Sequence, residues 1–135
     1  MKNKRVLLPL LGAALLASAC GGKDDIHGKW QLEVYCFGSD CVQLADHNIQ
    51  QFWELNDEAA PCDGDAVCFK GRQYQDSVMD NEIVWSLCRT RDTLFTSSPD
   101  GENPDTLLVT HLDGDTLILT SLMNNILVSQ QFVRR

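Results

Sequence analysis

Residues 106–122 read TLLVTHLDGDTLILTSL, and this stretch decides the fold class. Two runs rich in leucine and threonine, Thr106 to Leu112 and Thr116 to Leu122, flank the turn residues Asp113-Gly114-Asp115. Such runs favour strands, and a short Asp-Gly turn between them is a signature of a β-hairpin. The stretch therefore predicts two antiparallel strands joined by a tight turn.

The same pattern continues on both sides of this hairpin. Downstream, Asn124-Asn125 is a turn that leads into a last strand, and upstream the loop from Ser98 to Pro104 ends a short strand. With the hairpin, the strand candidates number eight. The other six are Gly28 to Cys36, Asn48 to Leu55, Ala66 to Gln75, the strand that holds Ile83, Trp85 and Leu87, Asp92 to Ser97, and Ile126 to Val133.

Some local features of these strands are also predicted. In the first strand one face is expected to be buried, and it carries Trp30, Leu32, Val34 and Cys36. Residues 48–55 alternate as a strand does, although a helical stripe also fits Val42, Ala45, Ile49 and Phe52. We predict a strand there, preceded by one helical turn. Gly71 predicts a bulge or bend in the third strand.

Eight short strands separated by short polar turns predict an all-β fold. At this spacing the architecture is an antiparallel sandwich or barrel, and full closure into a barrel removes the exposed sheet edges.

The N-terminus predicts an export signal. Met1 to Arg5 is positively charged, Val6 to Leu16 is apolar and too short to span a bilayer, and small residues then lead to Cys20. Ala17-Ser18-Ala19-Cys20 resembles the lipobox of bacterial lipoproteins. The resemblance implies removal of residues 1–19 and lipidation of Cys20, which anchors the protein to a membrane. The alternative is an ordinary secretory signal with an accidental cysteine.

The residues after Cys20 indicate where the anchored protein goes. Residues 20–27 have no apolar period and are predicted to be a lipidated tether, with the folded domain at 28–135. Gly21 fits passage to the outer membrane, and Lys23-Asp24-Asp25 resembles the export tag of Bacteroidetes surface lipoproteins. These features predict an outer-membrane lipoprotein of the cell envelope, either periplasmic or surface-exposed.

Size and charge limit the range of functions. Cleavage before Cys20 leaves one domain's worth of chain with 8 Lys and Arg against 19 Asp and Glu, a net charge of −11. Phosphate backbones repel such a polyanion, so no nucleic-acid partner is expected.

Six cysteines suit an exported protein. With Cys20 lipidated, five remain, and spacing alone allows many pairings. We predict two local bridges, Cys36–Cys41 and Cys62–Cys68, because each pair flanks a short polar loop. They would hold the loops at one end of the barrel and leave Cys88 as an odd thiol. The competing arrangement is Cys68–Cys88, across a hairpin of the third and fourth strands.

The chain also resembles a known family. Gly28-Lys29-Trp30 at the start of the first strand resembles the Gly-x-Trp motif of lipocalins, whose tryptophan plugs the closed end of an eight-stranded barrel. The order of later motifs is similar to small lipocalin-like lipoproteins of Bacteroidetes; these are Trp85-Ser86-Leu87, Asp92-Thr93-Leu94, Gly114-Asp115-Thr116-Leu117 and Phe132-Val133-Arg134. The resemblance implies a small lipocalin-like barrel with Trp30 buried at its floor.

The residue types that carry catalysis do not form a recognisable pattern. No nucleophile motif, phosphate-binding glycine loop or metal-binding histidine helix is present in the sequence. We therefore expect no enzyme, no catalytic residue, no metal site and no cofactor. Five aromatic residues either line a pocket or fill the core, and the small size of an eight-stranded barrel favours the core; they are Trp30, Trp53, Phe69, Tyr74 and Trp85.

The sequence thus predicts a lipid-anchored, non-enzymatic binding protein. It would take a small apolar ligand or a protein partner at the open end of the barrel. The alternative is an envelope-anchored inhibitor of a hydrolase such as lysozyme. Val34-Tyr35-Cys36 resembles the Tyr-x-Cys strand of membrane-bound lysozyme inhibitors, and an acidic protein suits a basic enzyme.

Overall fold

A computed structural model of the chain describes residues 26–62, 67–76, 78–88 and 92–135, without the side chains of residues 79 and 80. The predicted signal peptide, the lipidation site Cys20 and most of the tether lie outside the described residues. Among the residues that are described, no helix is both long enough and apolar enough to cross a membrane.

The described chain is built from antiparallel strands. It contains β1 (Gly28–Phe37), β2 (Asp40–Gln43), a 3₁₀ turn (Leu44–His47), β3 (Gln51–Ala60), β4 (Cys68–Gln75), β5 (Val78–Cys88), β6 (Thr93–Ser97), β7 (Asp105–Leu112), β8 (Thr116–Met123) and β9 (Ile126–Arg134). The single helical turn before β3 is where the sequence placed it. The short strand β2 is not among the eight strand candidates that the sequence predicts.

The strands close into a barrel. Each strand from β3 to β8 pairs with the next one along the chain, and β9 pairs with β1 to complete the circle. The first half of β1 pairs with β3 and its second half pairs with β2. The circle thus holds eight strands, with β2 as a short addition to β1. This is the all-β, antiparallel, eight-stranded lipocalin-like barrel that the sequence predicts.

The two ends of the barrel follow from the strand directions. We call the end where β1 begins and β9 ends the closed end; it also carries the β3–β4, β5–β6 and β7–β8 connections. The opposite end, which we call the open end, carries β2, the 3₁₀ turn and the β4–β5, β6–β7 and β8–β9 connections.

The core is made by alternate residues of every barrel strand. Buried tryptophan, leucine and phenylalanine side chains come from all eight strands and form one cluster; its largest fully buried members include Trp30, Trp85, Phe132, Leu55 and Leu117. Transfer of this apolar surface from water is the main force that holds the barrel together.

The face predicted for β1 is correct only for its first half. The pairing of β1 with β9 shifts register between Leu32 and Val34, as a β-bulge does. One extra residue exchanges the two faces, because side chains alternate along a strand. Beyond the bulge Tyr35 packs against the core, whereas Val34 and Cys36, expected inside, are on the other face.

Gly71 is required by close packing. A Cβ atom built on Gly71 would lie 2.6 Å from the backbone oxygen of Glu54 and 3.2 Å from Cδ1 of Trp85. The β3–β4 register shift begins at the Leu55–Gly71 pair, and its extra residues are on β3, between Leu55 and Ala59. The bulge predicted at Gly71 is therefore found beside the glycine, on the neighbouring strand. Gly71 also makes room for the buried indole of Trp85.

Both predicted local disulfides are present in the structure. Cys36 is bonded to Cys41 across the β1–β2 hairpin, and Cys62 is bonded to Cys68 at the start of β4. They lie at opposite ends of the barrel, so the expectation that they brace one end is wrong. The Cys62–Cys68 bond overturns the Cys68–Cys88 alternative. Cys88 is also disulfide-bonded, so the prediction that it is an odd thiol is wrong.

Candidate functional site

The closed end is plugged by Trp30. The indole Nε1 donates a hydrogen bond to the carbonyl of Ile26 at 2.7 Å, and both residues are fully buried. The guanidinium of Arg134 lies 4.2 Å from the centroid of the Trp30 ring and donates to the carbonyl of His27 at 2.8 Å. Stacking of a cation on an indole and hydrogen bonding to a fixed carbonyl hold this end shut.

Four of the five aromatic residues singled out from the sequence fill the barrel. Trp30, Trp53, Phe69 and Trp85 are each less than 8% exposed and belong to the core cluster. The ring centroids of Phe69 and Trp85 are 4.9 Å apart. These side chains therefore occupy the volume that a spacious ligand cavity would need.

The fifth aromatic residue, Tyr74, is outside the barrel. It stacks on Phe52 at 5.4 Å between ring centroids, and its hydroxyl donates to Glu54 at 2.7 Å. The ammonium of Lys29 lies 4.6 Å from the centre of the Phe52 ring, and the hydrogen bond with Tyr74 raises the pKa of Lys29. This cluster covers the outer face of β1, β3 and β4, so Tyr74 belongs to neither a pocket nor the core.

The interior changes character toward the open end. Four inward-facing side chains there are polar and partly exposed: Tyr35, Gln51, Gln73 and Gln130. These three amides and one phenol lie at the same end as the buried apolar residues Leu44 and Val128, whereas the closed half is filled by tryptophans and leucines. An amide side chain both donates and accepts hydrogen bonds, so this upper interior suits a polar or amphipathic occupant.

One buried donor faces no acceptor. The indole Nε1 of Trp53 is buried and has no hydrogen-bond partner among the described residues. The ring packs against Phe132 with 5.1 Å between centroids, and Trp53 lies opposite Gln73 in the register of β3 with β4. An unsatisfied buried N–H costs about 1–3 kcal/mol. A bound molecule with a hydrogen-bond acceptor would remove that cost.

The rim of the open end is apolar. We define the apolar rim as Phe37, Leu122, Met123, Ile126 and Leu127, which are 38, 71, 51, 39 and 55% exposed. Leu122 pairs with Leu127 and Met123 with Ile126 across the β8–β9 hairpin. Phe37 pairs with Val128, beside this hairpin. Residues 121–128 contain no charged side chain.

The geometry of the hairpin explains why the rim is exposed. Asn124 and Asn125 have φ of 53° and 64°, the two positive values that a type I′ turn needs, and asparagine tolerates them. The pairs on either side of the turn point to opposite faces because strand side chains alternate. Both faces of the tip are therefore apolar, and a contiguous apolar patch of this kind marks an interaction site.

Three cavities among the described residues lie beside strands and loops. The largest, about 470 Å³, lies between Pro61 and Pro99 over the outward-facing Val84 and Phe95. A second, about 440 Å³, lies beside β2. The third, about 260 Å³, is lined by residues of β3, β4 and β5.

Titratable groups form no catalytic arrangement in the described part of the chain. No group of three histidine, cysteine or acidic side chains there is placed to hold a metal ion. The pKa of Asp113 is lowered to about 2, chiefly by the backbone N–H of Asp115, then by His111 and the N–H of Thr116. These contacts fix the β7–β8 turn at the closed end, away from the rim.

The motif that resembles the strand of lysozyme inhibitors, Val34-Tyr35-Cys36, does not form an exposed binding surface. Tyr35 packs against the core, and Cys36 is held in its local disulfide. Nothing in the described residues favours inhibition, which stays a prediction.

The sequence missed the apolar rim, β2 and the unpartnered indole of Trp53. The run Leu122-Met123-Asn124-Asn125-Ile126-Leu127 was a possible signal, because it places four large apolar residues directly beside a turn. No signal for Trp53 was available, because hydrogen-bond satisfaction depends on neighbours from distant strands.

No protein-family model, curated protein or solved structure matches this chain.

Proposed function

We propose that this chain is a lipid-anchored, lipocalin-like binding protein of the bacterial cell envelope, which docks a partner at its open end. The observation that carries the proposal is the apolar rim, where five large apolar side chains are exposed at the barrel mouth. Burial of exposed leucine, isoleucine and methionine against a partner is favourable by about 25 cal/mol per Å².

The proposed location is supported by the N-terminal sequence and by the disulfides. The charged, apolar and small-residue series that ends at Cys20 is typical of a lipoprotein signal. Disulfides persist in oxidising compartments outside the cytosol, and the structure holds two local ones. Cys20→Ser tests the anchor: we expect the variant to leave the membrane fraction. Unchanged membrane attachment would contradict lipidation.

A lipid anchor at Cys20 would leave the apolar rim accessible to a partner. The described chain begins at Ile26, which contacts Trp30 at the closed end, opposite the rim. A barrel held by the predicted tether would present its open end away from the anchoring membrane. A partner in the surrounding compartment can then reach the rim.

The first experiment compares matched leucines. A photo-crosslinking residue is placed at Leu122, on the rim, or at Leu108, which is 52% exposed on the outer face of β7. After illumination of intact envelopes, we expect discrete adducts from position 122 and none from position 108. Equal labelling at the two positions would contradict docking at the rim.

A second candidate function follows from the Trp53 donor. A small apolar molecule that carries an acceptor, such as a carboxylate or carbonyl, would pair with the unpartnered N–H of Trp53 if it entered the barrel from the half-polar open end. The probe is anilinonaphthalene sulfonate, an apolar dye with an acceptor group. Trp53→Phe keeps an aromatic ring and removes the donor. It should therefore lower the affinity for the dye if the dye enters the barrel.

The same dye separates the two candidates. If Leu122→Gln/Leu127→Gln abolishes dye binding and Trp53→Phe leaves it unchanged, the rim is the binding surface. If instead Trp53→Phe weakens dye binding, the rim substitutions leave it unchanged and an envelope lipid extract displaces the dye, an internal small ligand is favoured. A stable complex with lysozyme on gel filtration, insensitive to rim substitutions, would favour the inhibitor instead.

A further inference from the structure

The strand β2 is an edge strand at the open end. It pairs with β1 and, among the described residues, with no other strand. Its four residues are all exposed. On the side away from β1, β4 ends at Gln75, opposite Gln51, and does not extend alongside β2. An edge strand presents unpaired backbone donors and acceptors, which make a template for another chain.

The hairpin register shows which groups face outward. Phe37 and Asp40 close a two-residue turn, with Gly38 at φ 63°, so Phe37/Asp40 and Tyr35/Val42 are the hydrogen-bonded pairs. Cys36/Cys41 is then a non-hydrogen-bonded pair, in agreement with its short Cα–Cα distance of 4.0 Å. The N–H and C=O groups of Cys41 and Gln43 therefore point away from β1.

There is room for a partner beside this edge. The cavity of about 440 Å³ is lined by Gln43 and Ala45 on one side and by Gln50 and Asp76 on the other. Its floor is β1 near Glu33, at the bulge. The Cys36–Cys41 bridge holds β2 against β1, so the edge is already ordered before a partner arrives, which lowers the entropic cost of binding.

The side chains around the edge define the partner's chemistry. Val42 is 42% exposed and faces the same way as the inward-facing Tyr35, its cross-strand neighbour. Exposed carboxylates surround the strand at Glu33, Asp40 and Asp46. An added strand would therefore place an apolar residue beside Val42 and a basic residue beside Asp40. A second copy of β2 would bring acidic side chains to an acidic edge.

We propose that β2 binds an extended polypeptide segment with alternating apolar and basic residues, which adds to the barrel as a further strand. The proposal rests on the proposed function and names its partner at the open end. Main-chain hydrogen bonds to Cys41 and Gln43 would supply affinity, and Val42 and the carboxylates would supply specificity.

The test uses one substitution that removes an edge donor. Gln43 has φ −90°, close to the value proline imposes, and its N–H is not bonded to β1. Gln43→Pro should therefore leave the hairpin intact and lower the affinity for an added strand about tenfold. Gln43→Ala is the matched control, because it keeps the N–H and should bind as the parent does.

The probe is a synthetic peptide, Lys-Thr-Val-Thr-Lys-Thr-Val, titrated against the full-length protein in detergent. We expect the amides of Cys41 and Gln43 to become protected from hydrogen exchange when the peptide binds. A peptide of the same sequence with alternate N-methylated residues, and one with glutamate for lysine, should bind much more weakly. Equal binding of all three peptides would overturn strand addition.

The outcomes also separate this inference from the proposed function. If Gln43→Pro and Gln43→Ala bind the lysine peptide equally, β2 is not the site, whatever the rim does. If position 122 crosslinks a partner while the peptide fails to bind, the open-end function stands and strand addition falls. If the protein dimerises through β2 instead, Gln43→Pro will dissociate the dimer and the peptide will not bind.

Discussion

The closed and open ends of this barrel are built from the same strands but differ in how completely their side chains are buried. At the closed end Trp30 and Ile26 are fully buried, and Arg134 ties the ring to backbone carbonyls. At the open end Leu122 and Leu127 are more than half exposed. The closed end contributes stability, whereas the open end leaves apolar surface uncovered for a partner.

The largest expected difference concerns Trp30. Trp30→Ala removes the plug, the hydrogen bond to Ile26 and the stacking surface of Arg134, and should cost about 3–5 kcal/mol. Urea unfolding followed by circular dichroism measures the loss. A variant that unfolds at the parent's midpoint would mean that the closed end is not where stability resides.

Two leucines of β8 give the sharpest contrast on one strand. Leu117 is fully buried near the closed end, and Leu122 is 71% exposed near the open end. Leu117→Ala should lower the free energy of unfolding by about 2–5 kcal/mol, because it leaves a cavity. Leu122→Ala should change it by less than about 0.5 kcal/mol. Comparable losses in the two variants would remove the distinction between the ends.

Two glycines test how tightly the closed half is packed. At Gly71 a methyl group would meet the backbone oxygen of Glu54 at 2.6 Å, and at Gly114 it would meet nothing within 4 Å. Gly71→Ala should destabilise by about 1–3 kcal/mol through forced backbone shifts. Gly114→Ala is the control and should stay within about 0.5 kcal/mol of the parent in thermal unfolding.

The smallest expected effect concerns the ionisation of the Asp113 carboxyl group in the β7–β8 turn. The pKa of Asp113 is lowered from 3.8 to about 2, with the N–H of Asp115 as the main cause and His111 as the next. A lowered pKa means that the turn gains stability above the ordinary pKa and loses it as the pH falls through 2. NMR titration of the carboxyl carbon checks this value. His111→Ala should raise the pKa but leave it below 3.8, since the backbone donors remain; an unchanged pKa would exclude the His111 contact.

The fold itself was largely predictable from local patterns. Alternating apolar residues located the eight barrel strands, and Asp113-Gly114-Asp115 and Asn124-Asn125 marked their turns. These signals are local, because the backbone fixes the two-residue period of a strand and turn residues adopt particular φ values. The two disulfide loops were found for the same reason: each joins residues close in sequence.

The errors come from features that no local pattern carries. The bulge between Leu32 and Val34 turned Tyr35 inward, although the alternation placed Val34 and Cys36 there. Tyr74 was grouped with the core aromatics, yet it stacks on Phe52 outside, because the face of a strand depends on which neighbours cover it.

The sequence by itself predicted the eight barrel strands, the turns between them and the two local cysteine pairs, and it is the basis of the export signal proposed for the N-terminus. The resemblance of Gly28-Lys29-Trp30 to the lipocalin motif indicated the closed end, whereas the tertiary structure alone decided what the open end leaves exposed. Closure brings Arg134 over Trp30, more than a hundred residues away, and leaves the β8–β9 tip and the edge of β2 uncovered. The reason is physical: burial, hydrogen-bond satisfaction and exposure are properties of contacts between distant strands, and barrel closure sets those contacts.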